Sequence, residues 1–224
     1  GDVYKRQDLI MAAGLPMMLA PQARDVAVIG MGSGRTTHSL LANARFQRVD
    51  TIEIEPAMVE GARHFGAMTA RTFNDPRSAI HIEDAKTFFA RNGVKYDYIV
   101  AEPSNPWVSG VSSLFSTEFY GQLKRYLKPK GFLVQWLQLY EINTPLVATV
   151  VKALDAEFED YAIYFSDDGD ILIVASPDGA IPALNDEVFR DAQVRNLHAP
   201  VAAGQAGQAF DQAFVARLVD DVAH

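Results

Sequence analysis

The sequence predicts one doubly wound α/β domain whose sheet is mostly parallel and finishes in an antiparallel hairpin. Three observations carry that expectation. Apolar runs of strand length alternate with segments of helical period, the pattern of parallel strands joined by crossover helices. The run Val26-Ala-Val-Ile29 leads directly into the glycine-rich turn Gly30-Met-Gly32-Ser-Gly34 and a helix start at Arg35. Further on, Tyr161–Phe165 and Asp170–Ala175 are two β-rich runs around an Asp-Asp-Gly turn, which closes a hairpin.

In chain order, strands are expected near 25–30, 49–54, 79–83, 97–102 and 131–137, with helices near 35–46, 56–71, 84–92 and 116–127. Pro56 suits a first helical position, where its missing N–H is not needed. Pro129-Lys-Gly131 reads as a turn after a helix whose end carries Lys124, Arg125 and Lys128, basic residues that complement the helix dipole. A helix at about 143–157 precedes the hairpin. The tail from Ser176 is richer in Pro, Gly, Ala and Gln, with short helices near 185–192 and 208–222. Residues 8–177 then form the catalytic domain, and 178–224 extend it. The first residues, Gly1-Asp-Val-Tyr-Lys-Arg-Gln7, resemble a translated adapter at the end of an environmental gene fragment. They are expected to be a non-native leader, with the native protein beginning earlier.

At 224 residues the chain can bury one full α/β core, and 49% apolar composition excludes intrinsic disorder. A net charge of −8 without any basic run argues against a nucleic-acid surface and is compatible with a cationic substrate. The absence of cysteine removes disulfides, thiolate catalysis and cysteine zinc sites, and no metal is expected. The most apolar stretch, Leu9–Ala20, is interrupted by Gly14 and Pro16 and lacks a basic flank, so it reads as neither signal peptide nor membrane span.

The glycine turn, Gly30, Gly32 and Gly34, lets backbone approach a ligand closely. About twenty residues later the second strand ends in Glu53-Ile-Glu55, and a carboxylate there can accept both hydroxyls of a ribose. In a strand Glu53 and Glu55 share one face, and Glu53 is the assigned ligand because of its spacing from the glycines. Asp84-Ala85 follows the third strand, where Asp84 can cap a helix and also accept from an adenine amino group. His81 alternates with apolar neighbours and reads as a strand residue. Glu102-Pro-Ser104-Asn105-Pro106 lies beyond the fourth strand, at the end of the sheet where open α/β folds place their chemistry. A carboxylate and an amide on a proline-stiffened loop can orient an amine. Trp107, Tyr120 and Trp136 can serve as core or as pocket wall.

With these residues in place, the chain resembles the polyamine aminopropyltransferases, the spermidine synthase family. The resemblance covers roughly residues 8–176 and runs through the Gly30–Gly34 turn, Glu53, Asp84-Ala85, Leu114-Phe-Ser-Thr-Glu-Phe-Tyr120 and the Asp167–Asp170 hairpin. The stretch Glu102-Pro-Ser-Asn-Pro-Trp-Val-Ser-Gly-Val-Ser-Ser-Leu-Phe115 looks most like a branch often fused to membrane-spanning segments. The resemblance implies a Rossmann-like class I methyltransferase fold with a seven-stranded sheet. It implies decarboxylated S-adenosylmethionine as donor, a polyamine acceptor, methylthioadenosine as by-product, and a homodimer. It also implies a cytoplasmic location, alone or as the cytoplasmic domain of a membrane-anchored protein. Glu102 matches the family's catalytic base, and Asn105 matches a second aspartate of the catalytic loop. Ser104 and Tyr120 are expected beside the substrate. The loop departs from the family's Asp-Ser-Ser-Asp-Pro in having a longer base and an uncharged amide, and the family's small N-terminal β-domain is missing. Two other readings stay open: a methyltransferase using intact S-adenosylmethionine, and a non-catalytic adenosyl-ligand module serving a membrane partner.

Overall fold

The computed structural model describes residues 5–103, 111–138, 144–165 and 170–194. Its elements in order are α1 (Lys5–Leu19), β1 (Asp25–Ile29), α2 (Arg35–Leu40), β2 (Arg48–Glu53), α3 (Pro56–Arg63), α4 (Ala70–Asn74), β3 (Ser78–Ile82), α5 (Ala85–Asn92), β4 (Tyr96–Ala101), α6 (Thr117–Lys124), β5 (Leu127–Gln138), α7 (Thr144–Asp155), β6 (Asp160–Phe165) and β7 (Asp170–Ser176). Short 3₁₀ turns cover Gly66–Thr69, Ser112–Phe115 and Asp186–Arg190.

One seven-stranded sheet runs in the order β3-β2-β1-β4-β5-β7-β6. The first five of these pair in parallel, and β7 is antiparallel to both β5 and β6. The expected doubly wound sheet with a closing hairpin is what forms. Strand order reverses between β1 and β4, so the loops after these two strands diverge and open a crevice at their carboxyl ends.

Both faces of the sheet are buried, which is why its parallel strands read as nearly continuous apolar runs. On one face Ile29, Ile99 and Leu133 pack with Phe88, Phe119 and Leu154 from the crossover helices. On the other, Val28, Val100 and Val134 pack with Leu15, Met17 and Leu40. Local signals set the helix starts. Glu55 caps α3 by accepting from Ala57 N, with Pro56 at the first helical position as expected. Asp84 caps α5 through Thr87 N, and Ser116 caps α6 through Phe119 N.

Several boundaries differ from expectation, each for an identifiable reason. The helix expected over 35–46 stops at Leu40 because the Arg77 guanidinium takes the carbonyls of Leu41, Asn43 and Phe46 and holds that segment as turns. The helix expected over 56–71 breaks into shorter pieces at Gly66, whose φ of 56° is left-handed. Pro129-Lys-Gly131 does not separate a helix from a strand. It lies inside β5, where the register against β4 slips and Lys130 takes a φ of 62°. Lys128 therefore serves no helix end; its ammonium pairs with Asp25 and Asp97. Leu9–Ala20, left without a helix in the sequence reading, lies mostly in α1 despite Pro16. That helix starts at Lys5, inside the expected leader. Among the described residues no helix is long and apolar enough to cross a membrane. The expected helix near 208–222 lies outside the described residues, as does the hairpin tip 166–169.

Candidate active site

Three strand ends meet at the switch point. The turn after β1 is drawn onto the end of β4: Gly30 N donates to Ile52 O at 2.8 Å, and Glu102 N donates to Ile29 O at 2.8 Å. The approach is so close that a Cβ on Gly30 would lie 2.4 Å from Glu102 O, so no other residue fits, and its φ of 86° reinforces the choice. Gly32 differs. A Cβ there would meet nothing within 4 Å, so this glycine leaves open space above the turn rather than fitting a crowded contact. Gly34, in left-handed backbone at φ 79°, leads into α2 and is held by Thr72 Oγ1, which donates to its carbonyl at 2.6 Å.

Glu53 is the last residue of β2 and is buried, only 8% exposed. Its Oε2 accepts from Met31 N at 2.9 Å and its Oε1 from Glu55 N at 2.9 Å. One carboxylate thus braces the glycine turn and the start of α3, while each oxygen keeps further acceptor capacity. Glu55 is not on the same strand face. It lies beyond β2 and is consumed as the cap of α3. Next to Glu53, Ile54 is 68% exposed, and Ile82 at the end of β3 is 54% exposed. Exposed isoleucines at two adjacent strand ends provide an apolar surface beside the turn, suited to a flat heterocycle. The sequence reading passed over Ile54 although it stands between two glutamates, which is the signal that could have found it.

Asp84 caps α5 with Oδ1, accepting from Thr87 N and Thr87 Oγ1. It follows β3 closely, so it lies at the same end of the sheet, and Ala85 beside it is buried. His81 is the strand residue expected; its Nε2 lies 2.8 Å from Asp50 Oδ1, and Tyr96 donates to the other oxygen of Asp50.

Glu102 follows β4 directly. Burial pushes its carboxyl up to about 7, opposed by a hydrogen bond that Thr36 Oγ1 donates to Oε1 at 3.0 Å. Thr36, near the start of α2, was not singled out in the sequence; its role requires that α2 and the end of β4 lie together. A carboxylate that titrates near neutrality at the mouth of a switch-point crevice is suited to general-base chemistry. Ser104 and Asn105 lie outside the described residues, as does Trp107.

Tyr120 takes a different place from the one expected of a substrate contact. It is wholly buried in α6, and its hydroxyl donates to Gln135 Oε1 at 3.1 Å. Trp136 is partly buried against the core on the other face. Among the described residues no group of three or more His, Asp or Glu is arranged to hold a metal.

The comparisons agree with this geometry. Polyamine aminopropyltransferase of Clostridium perfringens is 34% identical over 124 residues, 55% of this chain and 44% of that protein. The enzyme of the same name from Alkaliphilus oremlandii is 31% identical over 144 residues, 64% of this chain and 49% of its own length. The chain therefore spans about half the length of the curated relatives it matches. Among solved structures, spermidine synthase from Thermotoga maritima superposes with a TM-score of 0.72 at 19% identity, covering 98% of this chain and 76% of that one. Human methyltransferase-like protein 13 in complex with SAH gives 0.62 at 18% identity, covering 93% and 96%. Both likenesses show the class I methyltransferase-like fold. The model of the spermine/spermidine synthase domain matches residues 6–166, and the chain belongs to that family.

Proposed function

We propose that this chain carries the donor-binding and catalytic part of a polyamine aminopropyltransferase. Decarboxylated S-adenosylmethionine is the donor, with its ribose on Glu53, its adenine over Ile54 and toward Asp84, and its chain across Gly32. A free amine attacks the propyl carbon beside the sulfonium; the C–S bond breaks toward sulfur, methylthioadenosine leaves, and Glu102 takes the amine proton. The observation that carries the reading is Glu102, held on Gly30 at the end of β4 with a carboxyl titrating near 7.

The numbers are compatible with this role. A protonated alkylamine has a pKa near ~10, so proton transfer to a base near 7 is uphill by roughly 4 kcal/mol in water-like surroundings. Desolvation lowers the pKa of the ammonium as it enters, and its charge stabilises ionised Glu102, so the amine arrives where a base can accept its proton. Asn105 would contribute an amide carbonyl to orient the amine, and Ser104 a hydroxyl, as the family resemblance implies.

The test is to incubate the protein with decarboxylated S-adenosylmethionine and a panel of diamines and polyamines, following methylthioadenosine. Methylthioadenosine dependent on an added amine supports the reading. S-adenosylhomocysteine from intact S-adenosylmethionine would replace it with methyl transfer. Tight methylthioadenosine binding with no turnover on any amine would leave a binding module. Within an active enzyme, Glu102→Gln keeps shape but accepts no proton, and should lower turnover ~10²–10⁴-fold with methylthioadenosine affinity little changed.

A further inference from the structure

The base proposed above is one residue beyond the end of its strand, so something must fix the backbone from which it projects. One anchor is already described: Glu102 N donates to Ile29 O at 2.8 Å. The other end of the same peptide unit is the carbonyl of Ala101, and it accepts from Gln135 Nε2 at 3.2 Å. Gln135 stands at the last rung between β4 and β5, in register with Ala101. It is a polar side chain with no exposure at all.

Every polar atom of that side chain is used. Nε2 also donates to Trp136 O at 3.0 Å, and Oε1 accepts from the Tyr120 hydroxyl at 3.1 Å. The amide cannot be turned over, because that would set its oxygen against two carbonyls. Burial holds Tyr120 protonated across the physiological range, so its O–H is a constant donor. A buried glutamine costs stability unless its bonds are made, and an apolar residue would fill this strand position without that demand. Its partners therefore explain its presence: it clamps the peptide that aims Glu102.

We infer that Gln135, oriented by Tyr120, is a positioning residue that fixes the Ala101–Glu102 peptide and thereby the seat of the Glu102 carboxylate. This rests on the role proposed for Glu102, and it changes the expected task of Tyr120 from touching substrate to holding Gln135. Gln135→Met fills the same volume and removes all three bonds. Tyr120→Phe removes only the hydroxyl and leaves the ring packing intact.

The experiment follows the Glu102 carboxyl by carbon-13 NMR titration in the whole chain, with unfolding midpoints as a check on global stability. With its seat loosened, Glu102 becomes better solvated. Its titration midpoint should fall by about one unit or more in Gln135→Met and by less in Tyr120→Phe. Where the wild type turns over, kcat should fall in the same order with KM for the donor little changed. If Gln135→Met does not fold, Tyr120→Phe carries the test alone. A Glu102 midpoint unmoved in the folded variants overturns the inference whether or not the wild type is active. An inactive wild type whose midpoint moves as described overturns the functional reading and leaves the clamp standing.

Discussion

Glu102 and Glu53 show how one residue type serves two ends under different surroundings. Glu53 accepts two backbone N–H groups, whereas Glu102 has one hydroxyl donor and an otherwise desolvating site. Thr36 is the counterweight to burial, so removing it has a definite sign. In Thr36→Val the carboxylate loses its donor and the Glu102 pKa rises above about 7. The acid limb of amine-dependent kcat/KM should therefore move to higher pH, and a pH–rate profile of the two proteins checks it. An unshifted limb would mean that Glu102 is not the group being read. Glu53→Ala should weaken methylthioadenosine by roughly 10- to 100-fold, the weight of charge-assisted hydrogen bonds, as calorimetry would record. Glu53 was legible in the sequence because its distance from the glycine turn is a property of a βαβ unit. Its bond to Met31 N, and that of Thr36 to Glu102, were not legible. They join residues 22 and 66 positions apart, whose meeting depends on strand order.

At the scale of elements, the glycine turn does two jobs that its sequence pattern does not separate. Gly30 is required by the end of β4, which leaves no room for a Cβ; Gly32 is bounded by nothing in the protein. Gly30→Ala should therefore displace the backbone at Glu102 and lower both stability and ligand binding. Gly32→Ala should fold, at a cost of about 1–2 kcal/mol for its left-handed backbone, while losing adenosyl-ligand affinity through the occupied space. Thermal melts with and without methylthioadenosine distinguish the two, and equal behaviour would remove Gly32 from the ligand surface. Strands and capped helix starts were readable because apolar runs, Pro56, Asp84 and Ser116 are local signals. Helix ends were less so. The end of α2 is dictated by Arg77, and the continuation of β5 through Pro129–Gly131 by pairing with its neighbours. The helical Leu9–Ala20 stretch was missed because Gly14 and Pro16 argue against a helix locally, while burial of Leu15, Met17 and Leu19 against the sheet outweighs them.

For the whole molecule, the mixed sheet was legible because its connections are encoded in the alternation of patterns, whereas the balance of buried charge was not. Two groups with large shifts act in opposite directions. His38, desolvated and facing Arg71 and Arg35, is lowered from 6.5 to about 4. The unfolded chain binds its proton more readily, so this contribution is full above 6.5 and is lost as pH falls toward 4. Glu102 is raised from 4.5 to about 7, so the folded state binds its proton more readily. Its contribution is full below 4.5 and is lost as pH rises toward 7. Between about pH 4.5 and 6.5 the slopes oppose each other, each at most about 1.4 kcal/mol per pH unit for one proton. Solvent screening at half-buried His38 trims its share. The wild type should thus show a shallow stability profile over this window. Glu102→Gln should expose the His38 slope, with stability rising as pH rises, and His38→Gln should expose the Glu102 slope, falling as pH rises. The glutamine at 38 can still accept from Arg71 N, so the variant removes the titration while a hydrogen-bond partner remains. Urea unfolding of the three proteins at pH 4.5, 5.5 and 6.5 decides it. Parallel profiles would show that neither group is perturbed as its burial implies, and with that the case for Glu102 as a base near neutrality would be lost.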